Sequence, residues 1–188
     1  MRTEQYPENI AYHAKSVHGS DGYDDSKSIR GFQNLLIAKT DRGQILRQYI
    51  REYANLDSNF TYRFKDHPYG KYDVDSAIFC LEKKEYVCNI EFTTYRNWDP
   101  LWPEDYKWFT ALKRKEKYWI LKPDMPYISC IMNMQHNKFI TATKEDFVQY
   151  PYTTHNLGKV GSSVIRKIPL SVCRKFGDWD EDELMRVL

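Results

Sequence analysis

The sequence predicts a mixed α/β (α+β) single domain, a mixed β-sheet with a central hairpin flanked by helices. Three observations predict it. Apolar residues between positions 29 and 56 recur at three- and four-residue steps, the spacing of one helix face. From residue 73 the period falls to two, as in a half-buried strand. The charged break Glu82-Lys83-Lys84-Glu85 then separates two such runs, within the usual length of a hairpin loop.

Residues 1–27 are polar, and Gly19, Gly22 and the Asp21/Asp24/Asp25 cluster mark loop. They are expected to form an irregular N-terminal arm, with residues 28–188 as the domain. The acidic cluster lacks the ordered spacing and final Glu of a calcium loop. Within 29–56, Phe32, Leu35, Leu36, Ile45, Leu46, Tyr49, Ile50 and Tyr53 line one helix face, and Asp41-Arg42-Gly43 interrupts it. Residues 73–81 and 86–93 are the hairpin strands. Residues 95–105 are a loop set by Pro100 and Pro103. Residues 106–119 are expected to be a basic helix. Residues 127–133 and 138–143 are two more strands, turned by Gln135-His136-Asn137-Lys138, and 164–170 is a late strand. The acids Asp178, Asp180, Glu181, Asp182 and Glu183 are expected to start a helix, where the dipole favours negative charge.

Composition excludes several classes. The 188 residues are 41% hydrophobic, 15% aromatic and 29% charged, too rich in large rings for a disordered chain. Mean hydropathy is −0.72 and no apolar run approaches the ~18 residues of a membrane span. Net charge is +2, so any nucleic-acid contact must come from a local patch. The start, Met1-Arg2-Thr3-Glu4-Gln5-Tyr6, has no apolar segment of the secretory type. Cys80, Cys88, Cys130 and Cys173 show no zinc-knuckle or redox spacing. A reduced, cytoplasmic chain is the expectation.

The chemistry-bearing feature is acid placement on the hairpin. Asp73 and Asp75 share one face of the first strand, and Glu91 and Thr93 share one face of the second. Antiparallel pairing can bring these faces together. Adjacent carboxylates repel as bare charges, and a divalent cation with oxygen ligands removes the repulsion. Such an ion polarises phosphoryl groups and lowers the pKa of a bound water. Glu91 closes an otherwise apolar run, where a carboxylate requires a partner or a proton. Between Glu104 and Lys122, six basic side chains stand against three acidic ones, the local positive charge that phosphate contacts need. Tyr106, Trp108, Phe109, Tyr118 and Trp119 interleave with them and can stack on bases or form core.

This arrangement resembles the PD-(D/E)XK nuclease superfamily, whose core order is helix, three strands, helix, strand. Its Asp corresponds to Asp73 or Asp75, and its Glu-x-Lys to Glu91-Phe92-Thr93. The run Trp108 to Tyr118 looks like the basic helix that follows the motif in small phage-type members. The resemblance spans roughly residues 30–170. It implies a restriction-endonuclease-like core and a metal-dependent DNA endonuclease that hydrolyses phosphodiester bonds. Asp73, Asp75 and Glu91 would hold Mg²⁺ or Mn²⁺. Thr93 takes the place of the usual Lys, and a lysine of 107–117, Lys113 foremost, would replace its charge. Lys107, Arg114, Lys115 and Lys117 would contact DNA. The resemblance also implies a location in the host cytoplasm if phage-encoded, and leaves open a homodimer or a phage protein partner. The alternative expectation is a catalytically inactive nuclease-fold protein that binds nucleic acid or serves as a phage structural or interaction module. His136-Asn137 lacks the close metal-binding histidines of an HNH site, and no nucleophile elbow, P-loop or dinucleotide fingerprint is present.

Overall fold

The structure, a computed structural model, describes residues 41–66, 68–69, 74–95, 97–99, 101–135, 137–156 and 162–187. The expected N-terminal arm and Asp73 lie outside the described residues. Helix α1 (Asp41–Tyr53) leads into β1 (Tyr62–Asp66), β2 (Ser76–Cys80) and β3 (Glu85–Thr94). Then come β4 (Trp108–Leu112), a 3-10 turn (Lys113–Glu116) and α2 (Lys117–Leu121). Strands β5 (Tyr127–Met132) and β6 (Lys138–Thr143), α3 (Lys144–Val148), β7 (Tyr152–Asn156) and β8 (Ser162–Pro169) follow. Last are β9 (Arg174–Gly177) and α4 (Glu181–Val187). The class is α+β: six strands in the order β1-β2-β3-β5-β6-β9 and a separate three-stranded sheet, β4-β8-β7.

Parity along the strands sorts the molecule into layers. Cys88, Ile90 and Phe92 of β3 share a core with Leu46, Tyr49 and Ile50 of α1 and with Ile128, Cys130 and Met132 of β5. Each fully buried side chain of that size contributes roughly 1.5–3 kcal/mol. The alternate residues face the other way. There Tyr127 and Ile131 of β5 and Ile140 and Ala142 of β6 join Phe109 and Ala111 of β4 and Ile168 of β8 in a second core. Within the main sheet β3 and β5 pair in parallel, which requires a long crossover; residues 95–126, carrying β4 and α2, supply it.

Two sequence expectations are corrected. Residues 106–119 are not one helix. Phe109 and Ala111 are buried while Trp108 is 42% exposed, so this run alternates as a strand and pairs with β8. Its aromatic and β-branched residues suit a pleated surface, and the helix starts only at Lys117. Asp41-Arg42-Gly43, expected as an interruption, is itself helical and opens α1; the residues before it lie outside the described residues. A helical glycine costs about 1 kcal/mol against alanine, and packing of Leu46, Tyr49 and Ile50 offsets it. The hairpin forms with its turn at residues 81–84, one position earlier than expected, and Lys84 adopts a left-handed φ of 54°. Strand β1, absent from the sequence reading, adds a third antiparallel strand beside the hairpin. The acidic C-terminal run does start a helix: Asp180 Oδ1 accepts the Glu183 N–H at 2.8 Å. All four cysteines are free and buried. Among the described residues no helix is long and apolar enough to cross a membrane.

Candidate active site

The β2–β3 register decides what the acids can do together. Ser76 stands opposite Ile90 and Ala77 opposite Asn89, and Asp75 and Glu91 are the residues next to the Ser76–Ile90 pair. Asp75 is only 6% exposed. Its Oδ2 accepts the backbone N–H of Phe92 at 2.7 Å. This charge-assisted bond ties the entry of β2 to the position directly after Glu91. Glu91 is half-buried, with Oε2 sealed from solvent. Thr93, two residues on along the same face, is exposed. The structure thus ties Asp75 to the residue after Glu91 and leaves Thr93 exposed.

The second core reaches this pair: Val74, next to Asp75, is buried in it, and Tyr69 packs against it. On the face away from α1, β5 and β6 are covered by the second sheet. On β1, Arg63 and Lys65 occupy that same face, opposite Phe79 and Ala77, and both are exposed. A register shift between Ile78 and Phe79 sets Tyr86 opposite Phe79. A bulge of this kind re-aims a side chain, and here it turns Tyr86 onto the face of Glu91. Tyr69 lies over the strand, its hydroxyl donating to Asn89 Oδ1 at 3.1 Å. Burial is the main cause that raises the Tyr69 pKa above the ordinary tyrosine value, so the hydroxyl stays a donor.

The basic residues predicted for DNA contact or charge replacement separate. Lys107 donates to the Arg186 carbonyl in α4. Lys113 Nζ sits 4.7 Å from the ring centroid of Tyr152 on β7. Both contacts are away from β2 and β3. Lys117 Nζ lies 4.8 Å from the Tyr118 ring, and Tyr118 stacks on Tyr69 at 5.2 Å. Of the three lysines, Lys117 alone joins a cluster that reaches β3. The side chains of Arg114 and Lys115 lie outside the described residues. Trp119 and Phe109 are core, not stacking surface.

Among the described residues no group of three or more His, Cys, Asp or Glu side chains could hold a metal ion. Asp75 and Glu91 stand at neighbouring positions of adjacent segments, and one or two carboxylates suit Mg²⁺, which keeps several waters and is completed by substrate phosphate. The donor chemistry therefore fits the ion that the resemblance implies. A concave groove of ≈ 1170 Å³ lies elsewhere, along Tyr53, Tyr86, Lys122, Met125, Lys144 and neighbouring residues. It meets β3 at its first three residues, roughly 13 Å of strand before Glu91 at about 3.3 Å per residue.

No family model, no curated protein and no solved structure matches this chain. Its function must be argued from its own residues. Sequence reasoning missed Arg63, Lys65, Tyr69 and Tyr86. The alternation of Tyr62 and Phe64 with Arg63 and Lys65 was a legible strand signal. The bulge that turns Tyr86 had none.

Proposed function

We propose that the chain is a metal-dependent DNA endonuclease of the PD-(D/E)XK type. The observation that carries this reading is the bond from the Phe92 N–H to Asp75 Oδ2, which holds two acid-bearing strands in register beside Glu91. The element order supports it. Helix α1, the β1–β2–β3 meander, α2 and β5 keep the order of helix, three strands, helix and strand that the resemblance implies, with β4 inserted between β3 and α2, and β1 supplies the strand that the sequence reading lacked.

Asp75 and Glu91 would hold Mg²⁺ or Mn²⁺. When bound, such an ion polarises a phosphodiester and makes a nucleophile of water near neutral pH. Asp75 is oriented by the β3 backbone and needs no rearrangement on binding. Glu91 is half-buried beside the second core, with Oε2 shielded from solvent. Thr93 offers a hydroxyl in place of the usual cation, and of the lysines of 107–117 it is Lys117 whose neighbours reach β3.

The decisive experiment is cleavage of supercoiled, linear, single-stranded and branched DNA with Mg²⁺, Mn²⁺ or EDTA. Glu91→Ala should abolish metal-dependent cutting and leave DNA binding unchanged or tighter, because a carboxylate repels phosphate. Cutting that survives in this variant overturns the assignment. A second reading, a nuclease fold without catalysis that binds nucleic acid or a phage protein partner, is favoured by two facts. Thr93 is uncharged, and Lys107 and Lys113 are engaged away from β2 and β3. DNA binding by well-folded wild type with no cutting on any substrate selects it.

A further inference from the structure

We propose that the row of part-exposed rings lying over β2 and β3 is a track for single-stranded DNA leading to Asp75 and Glu91. The inference rests on the nuclease reading for the chemistry at the end of the track, though not for binding along it. Four rings form a continuous row: Phe79 meets Tyr86 at 5.3 Å, Tyr86 meets Tyr69 at 5.5 Å, and Tyr69 stacks on Tyr118 at 5.2 Å. Within the row, the Tyr69 hydroxyl donates to Asn89 Oδ1. Asn89 and Glu91 are two apart on one strand face, roughly 7 Å.

Tyr69 and Tyr118 pack against the second core, while Phe79 and Tyr86 stand outside both cores. Phe109 and Phe147 are fully buried, whereas Phe79, Tyr86, Tyr69 and Tyr118 all keep partial exposure. Cations sit along the row. Lys65 Nζ lies 6.0 Å from the Phe79 centroid, Lys122 5.6 Å from Tyr69, and Lys117 4.8 Å from Tyr118. A surface that alternates aromatic faces with cations suits a strand whose bases are unstacked, since bases lie on rings while ammonium groups meet the phosphates. A duplex offers its phosphates but keeps its base faces inside the stack. Asp66, Glu85 and Asp124 adjoin Lys65, Tyr86 and Lys122 in sequence and limit the net charge. Ring stacking, more than bulk charge, then separates single strands from duplex.

The test uses the full chain in EDTA, a fluorescein-labelled oligo-dT and a blunt duplex of the same length, read by anisotropy. The oligo-dT should bind tighter. Tyr86→Leu, which keeps apolar bulk and removes the ring face, should weaken oligo-dT binding about 5- to 10-fold, the low end of what one stacked base contributes, and change duplex binding less than about 2-fold. Tighter binding of duplex overturns the proposal, as does unchanged oligo-dT binding by a Tyr86→Leu protein with wild-type melting temperature. If that variant does not fold, photo-crosslinking of wild type to an iodouracil-containing oligonucleotide decides. Crosslinked peptides containing Tyr69, Tyr86 or Tyr118 support the track, and crosslinks confined elsewhere overturn it. Oligo-dT preference without cutting leaves the track standing and sinks the nuclease. Cutting without oligo-dT preference does the reverse.

Discussion

One face of the main sheet is finished in two ways. Over β5 and β6 it carries Tyr127, Ile131, Ile140 and Ala142, and the β4-β8-β7 sheet with its aromatic residues seals it. Over β1, β2 and β3 it carries Arg63, Lys65, Asp75, Asn89 and Glu91 together with part-exposed rings. Apolar alternation recruits a covering layer because burying it removes apolar surface from water. Over β1–β3 the face is closed less evenly: Arg63 and Lys65 stay exposed while Asp75 and Asn89 are buried, because a charged side chain is costly to bury. The candidate site sits on the line where one regime gives way to the other.

Two carboxylates sharpen that comparison. Glu183 belongs to the sealed half and is fully buried. Its Oε1 accepts the Trp98 indole N–H at 2.6 Å and the Trp102 backbone N–H at 3.0 Å, and its Oε2 is paired with Lys138. Glu183→Ala strands those donors and a buried cation, and should cost about 3–5 kcal/mol in denaturant unfolding. Glu91→Ala, at the margin, should cost less than about 1 kcal/mol while removing activity. Equal costs would make Glu91 a structural residue and erase the contrast between the two halves.

A smaller effect probes the strand that closes the sealed side of the sheet. Gly177 has φ of +108°, and an added Cβ would overlap the Asn137 carbonyl. Gly177→Ala should therefore destabilise by more than about 1 kcal/mol, lowering the melting temperature by roughly 2–4 °C per kcal/mol. An unchanged melting temperature would mean that the β6–β9 pairing yields easily there.

The gentlest perturbation is alkaline pH. Burial, the largest cause, pushes the Cys173 thiol up from 9.0 to about 12, and burial also raises Cys88 and Cys130. Each thiol is protonated in the native state over a range where the unfolded chain loses its proton, so the unfolded state binds fewer protons and stability falls as pH rises. The loss should start near pH 9 and continue toward 12. Unfolding midpoints at pH 8 and 10.5 measure it, and Cys173→Ala should flatten the slope. A variant with an undiminished slope would assign the loss to the other buried thiols and the tyrosines.

Much of the sheet was legible along the chain. The hairpin of β2 and β3, the β5–β6 pair and β8 announced themselves by a period of two, and the start of α4 by its acids. Residues 106–119 misled because lysines and rings spaced among apolar positions fit a helix, while Phe109 and Ala111 are in fact two-residue alternation paired with β8. At the site, Asp75 and Glu91 could be picked from their strand positions. The lysine partners could not, because Lys107, Lys113 and Lys117 were grouped by sequence distance and are scattered by the break between strand and helix.

The sequence by itself determined local period, turn chemistry and which strand positions carry acid, since these depend on side chains a few residues apart. Only the tertiary structure decided the parallel β3–β5 pairing, the bulge that turns Tyr86 onto the face of Glu91, and the boundary of the second layer. Those features depend on contacts between distant segments, where packing area and register outweigh local preference.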